Sequence, residues 1–386
     1  MDRTGPLTGV TLIEMAALGP VPLAGQLMAD LGAKVIVIDR QRDTKPADDI
    51  NRRNKQTVAF NLKDPDARAV FMKLVKSADA LLEGFRPGVM EKLSIGPADC
   101  HKINERLIFG RMTGWGQDGP LSKTAGHDIN YLAITGALHA IGRKNQPPVP
   151  PLNLVADYGG GAMFLVMGVL AALQERSTSG KGQVIDAAMI DGVPSLMGLI
   201  QTLYRQKQWL PERESNMLDG GAPYYRCYET ADHKYLAVGA IEPQFFEEFI
   251  NKAGLPPGDL KCQNDRSEWP AMHKRYELHF MQKSRDDWMR IFDGSDACVA
   301  PVLNFDEAPL HPHNAARGVF IDEEFQASPA PRFDRTPAPR PTMPLSPGES
   351  TDEILGELGI SGEDINKLRK QGAIKKAIST SDKDVC

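Results

Sequence analysis

The chain has 386 residues, 41% of them apolar and 25% charged, with a formal net charge of −5. This usage is ordinary for globular proteins and excludes a disordered, collagen-like, coiled-coil or disulfide-scaffold chain. The mildly acidic balance gives no reason to expect nucleic acid or an anionic membrane as partner, and at about 150 residues per domain the length suggests two or three domains.

Residues 10–15 and 35–38 are short apolar runs, the second β-branched, and both read as strands. Between them residues 22–31 have helical spacing and stop at Gly32, a plausible C′ glycine. Two apolar strands joined by a helix predict a right-handed parallel βαβ unit and an α/β domain. The pattern recurs with a helix over 67–78 and strands over 80–82 and 107–109. The helix predicted over 163–175 is apolar nearly all round, which predicts a central position, and 184–189 reads as a buried strand.

From residue 201 the texture changes. Residues 224–228 and 235–238 predict a hairpin across Asp232-His233, followed by helices over 243–253 and 268–292, which together read as a smaller second domain. The segment 328–347 is dense in proline and should lie extended over a surface. Ser350 and Glu353 stand in capping-box spacing ahead of a helix, and residues 375–386 read as a frayed end.

The five cysteines (Cys100, Cys227, Cys262, Cys298, Cys386) are scattered and contain no C-x-x-C pair. That points to a reducing compartment and away from a zinc site. The start has no apolar signal core, and no apolar run reads as a bilayer span. The expectation is a soluble intracellular protein with no membrane insertion.

A βαβ start whose second strand ends in Asp39 invites a dinucleotide-binding reading, which needs G-x-G-x-x-G so that backbone can approach a pyrophosphate. Here the turn is Leu18-Gly19-Pro20-Val21-Pro22, where two prolines remove amide donors. Gly180-Lys181-Gly182 fails as a P-loop because Glu175 stands where the first glycine belongs. Cations nevertheless gather early: Arg40, Arg42, Lys45, Arg52, Arg53, Lys55 and Lys63, with Arg86 and Lys92 further on. They read either as a solvated loop or as an anion site at the carboxyl ends of parallel strands.

Three places read as candidates for acid–base chemistry. His127 stands among Gly126, Asp128, Ile129, Asn130 and Tyr131, where an acid and an amide could set its tautomer. Asp157, ahead of Tyr158-Gly159-Gly160-Gly161, reads either as an N-cap or as a carboxylate beside unpaired helix amides that could hold an oxyanion. Glu242 ends a strand and reads otherwise as an acid at a helix start.

Several runs resemble the class III CoA-transferase family. They include Ala29-Asp30-Leu31-Gly32-Ala33-Lys34-Val35, Leu82-Glu83-Gly84-Phe85-Arg86-Pro87-Gly88-Val89 and Arg111-Met112-Thr113-Gly114-Trp115-Gly116-Gln117. The resemblance extends over about residues 7–344. Gly126-His127-Asp128-Ile129-Asn130-Tyr131 and Asp219-Gly220-Gly221-Ala222-Pro223 are similar to the α-methylacyl-CoA racemases within it.

The resemblance implies an interlocked homodimer of α/β chains. Each has a Rossmann-like large domain from both chain ends (residues 1–200 and 321–386), a linker (201–225) and a small α+β domain (226–320). It implies 1,1-proton transfer at the 2-methyl-bearing carbon of an acyl-CoA thioester. His127 and Asp157 would be the two acid–base groups, with Glu242 of the partner subunit bonded to the histidine. It further implies that Arg40, Phe60, Asn61, Leu62, Lys63, Arg86 and the loop from Gly126 to Tyr131 contact the CoA moiety. No metal or redox cofactor is expected, coenzyme A entering as part of the substrate. The rival within the family is a CoA-transferase with Asp157 as nucleophile; a non-enzymatic CoA-binding protein is a third reading. The compartment would be the cytoplasm in a bacterium, with peroxisome or mitochondrion open in a eukaryote.

Overall fold

The computed structural model describes residues 4–40, 49–321 and 325–375. Arg42, Lys45 and all but the first residue of the expected frayed end lie outside the described residues. The chain divides into two compact units. The first comprises Met1–Thr135, Leu152–Leu196 and Gln326–Cys386; the second comprises Gly136–Pro151 and Met197–Phe325. The segment Gly136–Pro151, placed in the large domain on sequence grounds, thus groups with the second unit.

In the first unit six parallel strands form one sheet: β1 (Thr11–Met15), β2 (Lys34–Arg40), β3 (Lys55–Phe60), β4 (Ala80–Glu83), β5 (Ile108–Thr113) and β6 (Val184–Ala188). Their order is β3-β2-β1-β4-β5-β6, the doubly wound arrangement of nucleotide-binding sheets. Parallel strands need crossover helices on the faces, so the inner ones are apolar on both sides. Leu12, Ile13, Val35, Ile36, Leu81 and Ile108 are accordingly buried.

The run 55–60 gives no apolar strand signal, because it opens Lys55-Gln56-Thr57. Two of its polar residues are satisfied internally: Lys55 Nζ lies 2.6 Å from Glu14 Oε2, and the Thr57 hydroxyl bonds to Asp39.

Several expectations for this unit need correction. β6 is an edge strand whose Val184 is 44% exposed, because it has a neighbour on one side only. The helix Met163–Ser179 packs one stripe (Leu165, Val166, Val169, Ala172) and leaves Met163, Met167 and Leu170 exposed. A single sheet covers only one stripe of a helix, whatever the apolarity of the rest. The helical run Leu154–Ser179 is also long and apolar enough to cross a membrane by length and composition, a run that the sequence reading passed over.

The C-terminal segment returns to the far edge of the sheet. Thr57 accepts the Gly348 amide on Oγ1 (2.8 Å) and the Ser350 amide on its carbonyl (3.1 Å). Ile354, Leu355, Ile365 and Ile374 then close a core around Phe60, Phe71 and Phe109. Ser350 stands at the N-cap of the helix Thr351–Glu357, but its side chain caps nothing, so the expected capping box is not formed.

In the second unit β7 (Tyr225–Glu229), β8 (Tyr235–Gly239) and β9 (Val299–Val302) form an antiparallel sheet in that order. The hairpin is as expected. β9 is additional, and its Pro301 fits an edge position, where one missing donor is tolerated. An aromatic cluster of Tyr228, Phe246, Phe249, Tyr276, Phe280 and Trp288 forms the core. The helix expected over 268–292 is two, Trp269–Phe280 and Arg285–Phe292, the second capped by Ser284 at the Asp287 amide.

Candidate active site

In this strand order the chain turns opposite ways after β1 and β4, which opens a crevice beyond their carboxyl ends. β1 runs out into Ala16-Ala17-Leu18 and β4 into Gly84-Phe85, and both exits line a cavity of 560 Å³. His127, Tyr131 and Asp157 line the same cavity. Met112 and Met189 give it an apolar wall, a contribution that nothing in the sequence singled out.

His127 is the extended residue just before the helix Asp128–Ile134, and its amide donates to Asn130 Oδ1 at 3.0 Å. The next residue turns inward. Asp128 is buried, and its Oδ2 accepts the amides of Ala156 (2.9 Å) and Asp157 (2.8 Å). Tyr131, one turn on, packs edge-to-face on Trp115 with ring centroids 4.7 Å apart. A Cβ on Gly114 would lie 1.9 Å from the Tyr131 ring, so only glycine fits there.

Asp157 is half-buried inside a π-helical turn, Leu154–Ala162, with Asn153 at its N-cap. The N-cap reading of Asp157 is therefore replaced, since the helical chain begins three residues earlier. Of the amides at this helix start, Asp128 takes those of Ala156 and Asp157 and the Asn153 carbonyl takes that of Tyr158. Burial pushes the Asp157 carboxyl above its usual range, and the negative charge of Asp128 adds to this. A hydrogen bond from Asn153 and the neighbouring His127 oppose the rise. Burial, then the Asp157 charge, raises the Tyr131 hydroxyl, against the pull of Arg86.

A second cavity of 800 Å³ is lined by Arg40, Phe60, Asn61, Leu62, Lys63 and Lys92, and shares Ala16, Arg40 and Phe85 with the first. The Arg40 guanidinium lies over the Phe85 ring, 6.0 Å from its centroid. Arg86, Ile129 and Asn130 are exposed, and Gly126 lines the first cavity.

Arg52, Arg53 and Lys55 are buried against Asp39, Asp30 and Glu14, and so are spent inside the fold. Glu242 belongs to the second unit, where it is exposed at the N-cap position of the helix Pro243–Ala253 without capping it.

The pairing of Glu83 and Arg111 escaped sequence reading. These residues are cross-strand partners on β4 and β5, with Arg111 Nε 2.9 Å from Glu83 Oε1. The other oxygen of Glu83 accepts the Phe85 amide at 2.7 Å, which holds the loop between the two cavities. Among the described residues no three His, Cys, Asp or Glu side chains converge as a metal would need.

Comparison with known proteins places the chain. Human α-methylacyl-CoA racemase is 44% identical over 376 residues, which covers 96% of this chain and 97% of the human protein. The mouse protein of that name is 43% identical over 373 residues with the same coverage. A crystal structure of a CAIB/BAIF family protein from Brucella suis superimposes with a TM-score of 0.79 at 22% identity, over 92% of this chain and 100% of that one; it shares the fold. The model of CoA-transferase family III matches residues 7–349. With nearly its whole length matched, the chain belongs to CoA-transferase family III.

Proposed function

We propose that the protein is an isomerase that epimerises the 2-methyl-bearing carbon of acyl-CoA thioesters by 1,1-proton transfer. The observation that carries this reading is that two different proton-carrying groups, His127 and Asp157, line one cavity. Inversion at carbon needs a base on one face and an acid on the other. One of the pair takes the α-proton, the electron pair moves onto the thioester oxygen, and the other returns a proton to the opposite face.

A carboxyl held above its usual range suits this work, since proton transfer is most effective when the pKa lies near the working pH. The enolate oxygen needs donors, worth roughly 3–4 kcal/mol each in comparable sites. Proton transfer of this kind requires no metal or redox cofactor.

Arg40, Lys63 and Arg86 supply cations for the phosphates of CoA, and the cavity lined by Phe60, Asn61 and Leu62 accepts its apolar parts. The chain acts as a homodimer in which Glu242 of the partner subunit orients the histidine. The exposed apolar residues Met163, Met167 and Leu170, spaced along one face of a helix, support a partner surface. The compartment is intracellular. A CoA-transferase would use Asp157 alone as nucleophile, and the placement of His127 in the same cavity favours the isomerase.

Incubating one epimer of a 2-methylacyl-CoA in D₂O tests the reading. Loss of the α-proton signal together with racemisation is expected with no acceptor acid present. Thioester transfer to an added acid, without α-exchange in its absence, would establish the transferase instead.

A further inference from the structure

We infer that Asp128 is a positioning residue for the proton transfer, its carboxylate fastening the Asp157 turn to the segment that carries His127. This inference rests on the isomerase reading for its consequence, but its geometry stands apart from it. The carboxylate of Asp128 is buried and reaches across 28 and 29 residues of chain to accept two successive amides, those of Ala156 and Asp157. Both bonds end on one oxygen. The other, Oδ1, is buried and has no hydrogen-bond partner.

Buried carboxylate oxygens are ordinarily satisfied, and one left bare calls for an explanation beyond packing. An Asn here could accept the same two amides without bringing a negative charge close to Asp157. The charge itself therefore has a use: after burial, it is the Asp128 charge that raises the proton affinity of Asp157. Two carboxylates in one desolvated site resist simultaneous ionisation. Asp128 thus does two things: it sets where Asp157 stands relative to His127, and it keeps Asp157 able to hold a proton.

The other groups acting on Asp157 are accounted for. His127, on the same segment as Asp128, and Asn153, at the start of the π turn, both favour its ionised form. Tyr131 feels the Asp157 charge and is itself drawn down by Arg86, and Arg40 lines the same cavity. Neither Tyr131, with its raised hydroxyl, nor the two arginines can hold a proton on Asp157. Among these groups only Asp128 pushes in that direction.

The test uses the full chain and two variants, Asp128→Asn and Asp128→Ala. Asp128→Asn keeps an acceptor for the amides and removes the charge. The Asp157 carboxyl midpoint, followed by ¹³C-aspartate NMR and assigned by its loss in Asp157→Asn, is expected to move to lower pH in this variant. The acidic limb of kcat for α-proton exchange should move with it, and KM should stay within about threefold.

Asp128→Ala also removes the anchor, and misplacement by about 1 Å can cost around 100-fold in rate. A kcat loss of that order is expected, again with little change in KM. An unmoved Asp157 midpoint in Asp128→Asn overturns the inference, even if Asp128→Ala proves too unstable to assay. A raised KM with unchanged kcat in either variant also overturns it, and assigns Asp128 to CoA binding. A wild-type chain that exchanges no α-proton would defeat the isomerase reading alone, leaving the NMR midpoints to decide the role of Asp128.

Discussion

A Cβ on Gly19 would lie 3.2 Å from Oδ2 of Asp157. The turn that opens the first helix and the carboxylate expected to move the proton are therefore in near contact. Gly19 also has φ of +74°, where an L side chain costs roughly 1–2 kcal/mol. Gly19→Ala is expected to lower stability by about that amount and to reduce kcat by tenfold or more, while CoA-ester binding is retained. Steady-state kinetics beside a urea melt would separate the two effects, and a variant with wild-type kcat would show that the contact is idle.

The raised Asp157 carboxyl makes a prediction about stability. Below the usual aspartate range the group is protonated in both folded and unfolded chains and has no effect. As pH rises past that range the unfolded chain releases the proton readily while the folded chain resists, so stability falls. The loss continues until pH passes the raised pKa of Asp157 itself. Asp157→Asn removes this term, so its stability relative to wild type should improve between the ordinary aspartate range and neutrality. Urea midpoints of the two proteins that stay parallel with pH would contradict it. The same variant should abolish epimerisation while binding CoA esters; a failure to fold would instead mean a structural role.

Lys55 and Glu14 form a fully buried pair in which burial lowers the lysine and raises the glutamate, and each partner's charge opposes the shift. Lys55 Nζ also donates to the Pro22 carbonyl at 2.8 Å. Removing one member strands the other, which typically costs about 3–5 kcal/mol. Lys55→Met should therefore destabilise strongly, and Glu14→Gln with Lys55→Met should recover most of the loss. Equal destabilisation of the single and double variants in denaturant melts would mean that the pair contributes only volume.

Arg40 and Lys63 line the second cavity. Arg40→Leu and Lys63→Ala should each raise KM for CoA esters several-fold, reduce its salt dependence and leave kcat nearly unchanged. The effect should be larger for the arginine, which can bind phosphate through two parallel bonds. A fall in kcat with constant KM would place these residues in the chemistry.

The fold was legible wherever burial and apolarity coincide. Residues 10–15 and 35–38 announced β1 and β2 because both of their faces are covered. β3 was not legible, since Lys55 and Thr57 are polar side chains satisfied by Glu14 and Asp39, and such pairing cannot be read from one strand alone. The basic run was legible only in part for the same reason, three of its members having buried carboxylate partners. At the site, His127 and Asp157 were readable as motif residues. Their connection through Asp128 was not, because it is made by two hydrogen bonds across 28 and 29 residues.

The tie between Thr57 and Gly348 spans 291 residues. In synthesis at about 5–20 residues per second, the strand carrying Thr57 waits tens of seconds for the segment that covers it. Every residue of Met197–Phe325 emerges in that interval and can fold from contacts of short range. The parallel sheet is thus begun first and finished last, with its far edge left for the chain's own end to seal.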